Sequence, residues 1–363
     1  MLRKIILGVM LSKAAMANSF ENAGEEINPS REHLLSISFS HNIARALHIA
    51  AEHKIADKLE SEPKLLEELA EELHVNKDVL YRIMKVLVTH DVFDYTEDRK
   101  FKINDHSRFL LSSHPHSLRT AIAKEMDLRR WNSLGNLEIS LRSGKPSFDM
   151  LYEESFYEYL ENNSGAKARF DAGMSDYSVG EDIAIAKSFP FNKYDTVIDV
   201  GGNQGSLIYQ ILKNHKKVEG VLFDMPNTIQ NPRYLINKNM EHRYEIIGGD
   251  FFEKVPEGGD VYILKRIIHN WDDERAVKIL KNCVKNLDRK GRILIVDVID
   301  EDLSPQTKPS PFVDAEISSI VLNRGAERSL TMFEALCKKA GLKIVKVHRP
   351  NGIKVGIIEA AKL

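Results

Sequence analysis

The sequence predicts an α/β protein whose main domain is a parallel sheet covered by helices on both faces and ended by an antiparallel hairpin. From Tyr194 onward, continuous apolar runs alternate with helical patterns, which is typical of buried parallel strands. Two strand-like runs close the chain, and these predict the hairpin. A helix-turn-helix pattern followed by a brief hairpin precedes the sheet and predicts a smaller helical domain.

Composition limits the classes of protein that this chain can represent. Its 363 residues suffice for two ordinary domains, and the net charge of -2 gives no general attraction to nucleic acid or anionic membranes. The two cysteines, Cys283 and Cys337, exclude a disulfide framework and favour a reducing, cytoplasmic location. No run approaches the roughly 20 apolar residues of a membrane-spanning helix.

Residues 1–30 form a leader with a basic start, a short apolar run from Ile5 to Leu11 and an Ala-Met-Ala sequence before Asn18. This is the outline of a secretory signal. Lys13 interrupts the apolar region, and nothing downstream is built for an oxidising compartment. We therefore favour a leader that is not a signal peptide, with a secretory signal as the alternative.

Residues 31–115 predict a winged-helix domain. The stretch KLLEELAEELHVNKDVLYRIMKVLVTHDVF indicates a helix, a short turn and a second helix, and DYTEDRKFKIND indicates two brief strands. A DNA-binding regulator is one hypothesis for such a domain. The second helix, however, carries an apolar stripe beside its few cations, and no basic tail accompanies it, so we favour a protein interface over a DNA groove reader.

Residues 116–190 predict further helices, with a break at RSGKPSF, and residues 191–363 predict the sheet domain. Its strands are predicted at TVIDV, VEGVLFD, YEIIGGD, DVYILKR and RILIVDV. The final runs join through Pro350-Asn351-Gly352, and Asn-Gly there predicts a tight hairpin. This ending is not that of a dinucleotide dehydrogenase, the second rival hypothesis.

Three glycines, Gly201, Gly202 and Gly205, lie between a strand ending at Val200 and a helix beginning near Ser206. Without a Cβ they let a ligand approach the main chain closely. The order G-G-N-Q-G does not supply the G-x-G-x-x-G pattern, so a pyrophosphate cradle is disfavoured. A tight turn with no ligand is the alternative interpretation of this loop.

The next two predicted strands also end in polar or aromatic residues suited to a nucleoside. Asp224 can accept hydrogen bonds from both ribose hydroxyls, Asp250 can bond an exocyclic amine, and Phe251 can lie against an adenine ring. Helix capping is the alternative role for the two aspartates. Taken together, three strand ends predict a site for one nucleoside without phosphates.

Several ordered motifs, VIDVGGNQG, LFDMP, GGDFFEKVPEGGDVYILKRIIHNWDDERAVKILKN and ERSLTMFEALCKKAGL, resemble S-adenosylmethionine-dependent O-methyltransferases of the plant caffeate and animal acetylserotonin type. The resemblance runs from about residue 31 to the end. It implies a class I methyltransferase Rossmann-like sheet, a winged-helix dimerisation domain, a homodimer and S-adenosylmethionine at the glycine loop. No metal site is predicted, because adjacent acidic residues of DVIDED alternate along a strand and do not converge on an ion. The implied reaction methylates a hydroxyl of a small aromatic metabolite.

The resemblance also implies roles for individual residues. His269 is the implied general base, because a neutral imidazole can take a phenol proton as the new bond forms. Glu327 would fix the other ring nitrogen, and Asp297 would be a second acidic neighbour. The implied cofactor-binding residues are Asp199, Gly201, Gly202, Gly205, Asp224, Met225, Asp250, Phe251, Lys265 and Ser178. The implied acceptor-pocket residues are Phe170, Met174, Tyr177, Asn270 and Asn323.

Three positions depart from the family pattern. Asp297 stands where the plant members have Glu, Asn270 where they commonly have Asp, and Asn203 where many members have Gly. The loss of a charge at Asn270 would alter the pKa of the base. Some members of the family catalyse reactions other than methylation, so a different reaction on the same scaffold is an alternative prediction.

Overall fold

The structure, a computed structural model, describes residues 28–230, 232–300 and 311–363. The predictions for residues 1–27 of the leader lie outside these ranges. Helix α1 (Pro29–Glu52) already begins at Pro29, inside the segment assigned to the leader. The Asn28 side chain accepts a hydrogen bond from the Ser30 backbone at 2.9 Å, and Pro29 occupies the first turn, so both residues favour a helix start there.

The N-terminal region contains the predicted helix-turn-helix and hairpin. Helices α2 (Ile55–Lys58), α3 (Leu66–Leu73) and α4 (Lys77–Thr89) follow α1. Strands β1 (Lys64–Leu65), β2 (Asp94–Tyr95) and β3 (Lys100–Lys102) form a small antiparallel sheet in the order β1-β3-β2. This is the topology that a winged-helix pattern predicts.

The apolar stripe of α4 is mostly internal. Leu80, Met84 and Leu87 are buried in the N-terminal core, whereas Val79 stays 56% exposed. The larger exposed apolar residues of this region lie near the start of α1, at Leu34, Ile37 and Phe39. The start of α1 therefore exposes more apolar side chains than α4 does.

Six helices connect the two regions: α5 (Arg119–Ala123), α6 (Leu128–Gly135), α7 (Leu137–Ser143), α8 (Ser147–Tyr152), α9 (Phe156–Asn162) and α10 (Ser164–Ser188). The predicted break falls between α7 and α8, where Gly144 adopts a left-handed conformation with φ of 67°. The long helix α10 contacts α5 on one side and the first helix of the sheet domain on the other. It therefore ties the N-terminal region to the sheet.

The sheet domain contains strands β4 (Thr196–Val200), β5 (Glu219–Asp224), β6 (Tyr244–Gly248), β7 (Val261–Lys265), β8 (Arg292–Asp300), β9 (Arg328–Ser329), β10 (Leu342–His348) and β11 (Val355–Lys362). Its helices are α11 (Ser206–Asn214), α12 (Asp273–Lys285), α13 (Pro311–Leu322) and α14 (Leu330–Ala340). The main strand order is β10-β11-β8-β7-β4-β5-β6. Strands β4 to β8 are parallel, and β11 is antiparallel to β8 and β10, which confirms the predicted fold class.

Both faces of this sheet are covered. On β4, Ile198 and Val200 pack into one hydrophobic cluster and Val197 into another on the opposite face. Successive residues of a strand point to opposite faces, so continuous apolar runs are required here. Because β4 to β7 are parallel, their carboxyl ends meet at one edge of the sheet.

The terminal hairpin has a longer connection than the tight turn that the sequence predicts. Strand β10 ends at His348 and β11 begins at Val355, so residues 349–354 connect them. Val355 pairs with β8, and β10 is reached only at the His348–Ile357 pair, which lengthens the loop. Within the described ranges, no helix combines the length and apolar character needed to cross a membrane.

Candidate active site

A cavity of about 880 Å³ opens at the carboxyl edge of the sheet. The loops after β4, β5, β6 and β7 form one wall, and helices α1, α5, α9, α10 and α13 contribute to the other. Its volume lies near the upper end of the range for small-molecule sites, about 300–1,000 Å³. We refer to the wall formed by the loops as the sheet-edge wall and to the wall formed by the helices as the helical wall.

The glycine loop follows β4 and requires its small residues. Gly201 has a φ of 75°, a left-handed conformation in which a side chain is strained. A Cβ on Gly202 would lie 2.6 Å from Leu222 Cδ1 and 2.7 Å from Asp199 Oδ2. Gly205 is different, because it caps the start of α11, faces Leu235 and does not line the cavity.

Asp199 lies beneath this loop and is 2% exposed. Its Oδ2 atom has no hydrogen-bond partner among the described residues. Burial, followed by the nearby charge of Asp182, raises the pKa of the Asp199 carboxyl to about 7. A buried, unpaired acceptor of this kind is costly unless a ligand donates to it.

Asp224, at the end of β5, holds the glycine loop in place. Its Oδ2 accepts a hydrogen bond from the Asn203 N–H at 2.8 Å, and its Oδ1 accepts one from the Met225 N–H at 2.7 Å. Burial raises the pKa of this carboxyl. Each oxygen retains a second lone pair, so the group can still accept hydrogen bonds from hydroxyls in the cavity.

The loop after β6 places a polar and an aromatic residue on the same wall. Asp250 Oδ1 accepts a hydrogen bond from the Phe252 N–H at 2.7 Å. The Phe251 ring lies opposite the glycine loop, since its Cε1 would be 3.7 Å from a Cβ on Gly201. Phe251 also makes an edge contact with Trp271, with ring centroids 6.2 Å apart.

His269 lies in a short 3₁₀ turn just after β7 and faces the same cavity. Its Nδ1 pairs with Glu327 Oε1 at 2.9 Å, and both side chains are almost fully enclosed. Burial lowers the pKa of His269, but the negative charge of Asp297 and the bond to Glu327 together raise it above its ordinary value. Nδ1 is therefore committed to Glu327, and Nε2 is the nitrogen left for a proton acceptor role.

Asp297 does not reach the cavity. It lies fully buried in β8, next to His269. Burial, opposed by the neighbouring His269, raises the pKa of this carboxyl to about 7. Asp297 thus acts on His269 through its charge and not as a group that touches a ligand.

Two residues that the sequence reasoning missed hold Glu327 against His269. Arg328 is 2% exposed, and its guanidinium donates to the Ile268 carbonyl at 3.0 Å and the Trp271 carbonyl at 2.6 Å. A Cβ on Gly325 would lie 1.8 Å from the His269 carbonyl oxygen, so only glycine fits there. Both residues lie within two positions of Glu327 in the sequence, and this proximity was the feature that could have identified them.

Lys265 is already paired. Its Nζ lies 2.7 Å from Asp182 Oδ1 and 3.6 Å from Glu181 Oε2. Glu181 in turn accepts two hydrogen bonds from Arg266, at 2.7 and 3.1 Å. Lys265 lines the cavity, and its charge also belongs to this buried network, which lies just before the His269 turn.

The remaining predicted site residues lie on the cavity wall. Phe170, Met174, Tyr177 and Ser178 share one face of α10, at helical spacing. The Asn270 side chain donates to the Arg266 carbonyl at 2.9 Å, whereas Asn323 Oδ1 accepts from the Gly325 N–H at 2.9 Å. Of the predicted residues, all but Gly205 and Asp297 therefore border one cavity.

The helical wall contains aromatic residues that the sequence reasoning did not select. Tyr157 of α9 stacks on Trp271, with ring centroids 5.3 Å apart and an interplanar angle of 27°. Phe156 packs edge-on against Phe170 at 5.4 Å. Among the described residues, no group of three or more His, Cys, Asp or Glu side chains could hold a metal ion.

Comparisons with known proteins match this geometry. An O-methyltransferase domain model matches residues 131–343, and an O-methyltransferase dimerisation domain model matches residues 35–113. A mitomycin biosynthesis 6-O-methyltransferase from Streptomyces lavendulae is 33% identical over 87% of this chain and 90% of its own length. The phenazine O-methyltransferase PhzM of Lysobacter antibioticus is 29% identical over 90% of this chain and 95% of its own.

A solved structure extends the likeness to the fold. CalO1, a methyltransferase in calicheamicin biosynthesis crystallised in a form with bound SAH, superposes with a TM-score of 0.79 and 28% identity. The match covers 92% of this chain and 98% of CalO1. The family model covers more than half of the sequence, and the resemblance carried by the motifs is confirmed. The chain belongs to the O-methyltransferase family and carries that family's dimerisation domain.

Proposed function

We propose that this protein transfers a methyl group from S-adenosylmethionine to a hydroxyl of a small aromatic acceptor, with His269 as the general base. The observation that carries the proposal is the His269–Glu327 pair, which faces the same cavity as the glycine loop. A base and a cofactor site must share one cavity if a proton is to leave as a methyl group arrives.

The sheet-edge wall fits an adenosine group that carries a positive charge. Asp199 Oδ2 and Asn203 Oδ1 are buried acceptors with no partner among the described residues, and Asp224 retains free lone pairs. Ribose hydroxyls and an ammonium group are donors that would satisfy such acceptors. When bound, S-adenosylmethionine supplies a methyl group that its sulfonium has already activated.

The protein's own task is then to position the acceptor and remove its proton. Glu327 holds Nδ1 of His269 as the protonated nitrogen, so Nε2 presents its lone pair for the hydroxyl proton. As Nε2 takes the proton, the ring becomes an imidazolium that Glu327 and Asp297 stabilise by their charges. General base catalysis of this kind accelerates a reaction by a factor of about 10²–10⁴.

The helical wall supports an aromatic acceptor. Its stacked and edge-on pairs, Tyr157 with Trp271 and Phe156 with Phe170, offer flat apolar surfaces that suit a planar ring. The similarity to a phenazine O-methyltransferase favours the same class of acceptor.

A homodimer is supported by the matched dimerisation domain and by the exposed apolar start of α1, at Leu34, Ile37 and Phe39. A second copy of the chain would cover that face. Light scattering on the purified protein should give twice the mass of the chain. A monomeric mass would contradict this part of the proposal.

The function is tested by screening hydroxylated aromatic compounds with S-adenosylmethionine labelled at its methyl group, beside calorimetric titrations with S-adenosylhomocysteine and NAD. We expect binding of S-adenosylhomocysteine, no binding of NAD and label on the oxygen of at least one acceptor. Binding of NAD would favour a dehydrogenase instead. Binding of S-adenosylhomocysteine with no labelled product would favour a different reaction on the same scaffold.

A further inference from the structure

Two neighbouring acidic residues of α10 hold two neighbouring cations, Lys265 at the end of β7 and Arg266 just after it. Glu181 Oε1 and Oε2 accept hydrogen bonds from the Arg266 guanidinium at 2.7 and 3.1 Å. Asp182 Oδ1 lies 2.7 Å from Lys265 Nζ. None of these four side chains is more than 10% exposed. We refer to the two ion pairs as the α10 clasp.

The backbone at Arg266 is strained. Its φ of 53° lies in the left-handed region, which residues with a side chain rarely adopt. Successive side chains of a regular strand point to opposite faces, but here the alternation is interrupted, and Lys265 and Arg266 both contact α10. A strained residue persists only where its surroundings fix it. The α10 clasp supplies such a constraint.

The main chain of Arg266 leads directly into the turn that carries His269. Its N–H donates to the Val296 carbonyl at 2.9 Å, and its carbonyl accepts from the Asn270 side chain at 2.9 Å. Arg266 is thus fixed to β8 and to the end of the turn by its main chain, and to α10 by its side chain. The orientation of His269 depends on where this one residue is held.

The Arg266 guanidinium also reaches the helical wall. It lies 5.6 Å from the centre of the Tyr177 ring, one turn before Glu181 on α10. Tyr177 and Arg266 border the cavity, whereas Glu181 does not. Glu181 therefore does not touch a ligand in the cavity, and its effect passes through the cations that it binds.

We infer that Glu181 is a positioning residue for the base. Its ion pair with Arg266 sets the His269 turn against α10, so that Nδ1 of His269 meets Glu327 and Nε2 faces the acceptor. This inference rests on the proposed function, because it takes His269 as the base. A misplacement of about 1 Å at a reacting group lowers a rate by about 10²-fold, so a contact outside the cavity controls the reaction within it.

The test follows the His269 ring by nitrogen-15 NMR of histidine-labelled protein saturated with S-adenosylhomocysteine. Glu181→Gln keeps the size of the side chain and removes its charge. We expect the neutral ring to lose its dominant Nδ1-protonated form, because that form depends on the bond to Glu327. Burial and the charge of Arg266 lower the pKa of His269, whereas Asp297 and Glu327 raise it. The variant removes the charge that offsets Arg266, so this pKa should fall.

Glu359→Gln is the matched control, because it removes the charge from another enclosed pair of glutamate and arginine. Glu359 Oε1 accepts from Arg292 Nε at 3.0 Å at the start of β8, the opposite edge of the sheet from the cavity. Each variant breaks an enclosed ion pair, so both should lose thermal stability. Only Glu181→Gln should change the His269 signals.

A second variant tests the same contact if Glu181→Gln does not fold. Arg266→Lys keeps the charge but lacks the two-pronged geometry of a guanidinium, so it should cause the same loss of the Nδ1-protonated form. Wild-type His269 signals in either variant, or an equal change in Glu359→Gln, would overturn the inference. A ring protonated at Nε2 in the wild type would instead overturn the proposed base and with it the proposed function.

Discussion

The two walls of the cavity are built by different physical rules. The sheet-edge wall consists of the loops after β4, β5, β6 and β7, whose positions follow from the parallel strand order. The helical wall is assembled from α1, α5, the consecutive pair α9 and α10, and α13, which come from separate stretches of the chain and meet through packing. Short motifs can thus specify the first wall, whereas only the folded chain specifies the second.

This difference assigns separate tasks to the walls. The sheet-edge wall presents buried acceptors and the His269–Glu327 pair, which are the parts needed for a shared cofactor and a common reaction. The helical wall presents aromatic rings, which are the parts that would select an acceptor. Substitutions on the two walls should therefore change different measured quantities.

The largest effect is expected from removing the base on the sheet-edge wall. His269→Ala should lower methyl transfer by about 10²–10⁴-fold, because among the described residues His269 is the base that pairs with Glu327. Binding of S-adenosylhomocysteine should be retained, since His269 is not among the buried acceptors near the glycine loop. Labelled methyl transfer and calorimetry on the same preparation measure both quantities. Unchanged turnover would reject His269 as the base.

A large effect on the cofactor alone is expected at the glycine loop. Gly202→Ala would place a Cβ 2.6 Å from Leu222 Cδ1 and 2.7 Å from Asp199 Oδ2. Overpacking costs about 1–3 kcal/mol of folding stability, and the loop must shift to relieve it, so affinity for S-adenosylhomocysteine should fall in calorimetry. Gly180→Ala is the control, because a Cβ at this position on α10 meets nothing within 4 Å. Equal affinities of the two variants would contradict the tight fit.

A smaller effect, with a defined pH signature, is expected from Glu327→Gln. His269 acts as a base only when neutral, so activity rises with pH through the pKa of His269, which lies above its ordinary value. Glutamine removes a charge that raises this pKa, so the acid limb of the kcat/KM profile should move to lower pH. If the Gln amide oxygen still accepts from Nδ1, the maximal rate should fall about tenfold, the difference between a charged and a neutral hydrogen bond to the imidazolium. An acid limb that stays in place or moves upward would contradict the pairing.

The smallest effect is expected from Asn270→Asp, which restores the residue common in plant relatives. Aspartate cannot donate to the Arg266 carbonyl, a bond of 2.9 Å in the structure. The added negative charge beside His269 should raise the pKa of His269 and move the acid limb to higher pH. The lost bond should cost about 1 kcal/mol of stability, and the higher pKa should lower kcat/KM at neutral pH by reducing the neutral fraction of His269. A shift of the acid limb to lower pH would oppose this interpretation.

The sequence predicted the fold and the sheet-edge wall well. The apolar runs from Thr196 onward became the parallel strands, and the motif residues at their ends, including Asp224, Phe251 and His269, border one cavity. The positions of these residues depend on where each strand ends and on the order of the strands in the sheet. The alternation of apolar runs with helical patterns in the sequence encodes both. The hairpin loop was predicted too short because its length depends on how β11 pairs with β8.

The helical wall could not be predicted in the same way. Lys124 and Arg130 resemble ordinary surface cations in the sequence, and their burial depends on the packing of α1 against α5 and its following turn. Asp297 was predicted to flank the base, and its charge does act on His269, although its place in β8 keeps it from bordering the cavity. Gly325 and Arg328 hold Glu327 against His269 through contacts with residues that lie about sixty positions earlier in the chain.

The state of the His269 ring tests the central claim most directly. Nitrogen-15 NMR of protein labelled at histidine, with His269→Ala used to assign the signals, reports which ring nitrogen carries the proton as pH is varied. We predict a neutral form protonated at Nδ1, with Nε2 free, and a pKa above the ordinary value of 6.5. A neutral form protonated at Nε2, or a pKa below 6.5, would contradict the assignment of this imidazole as the base.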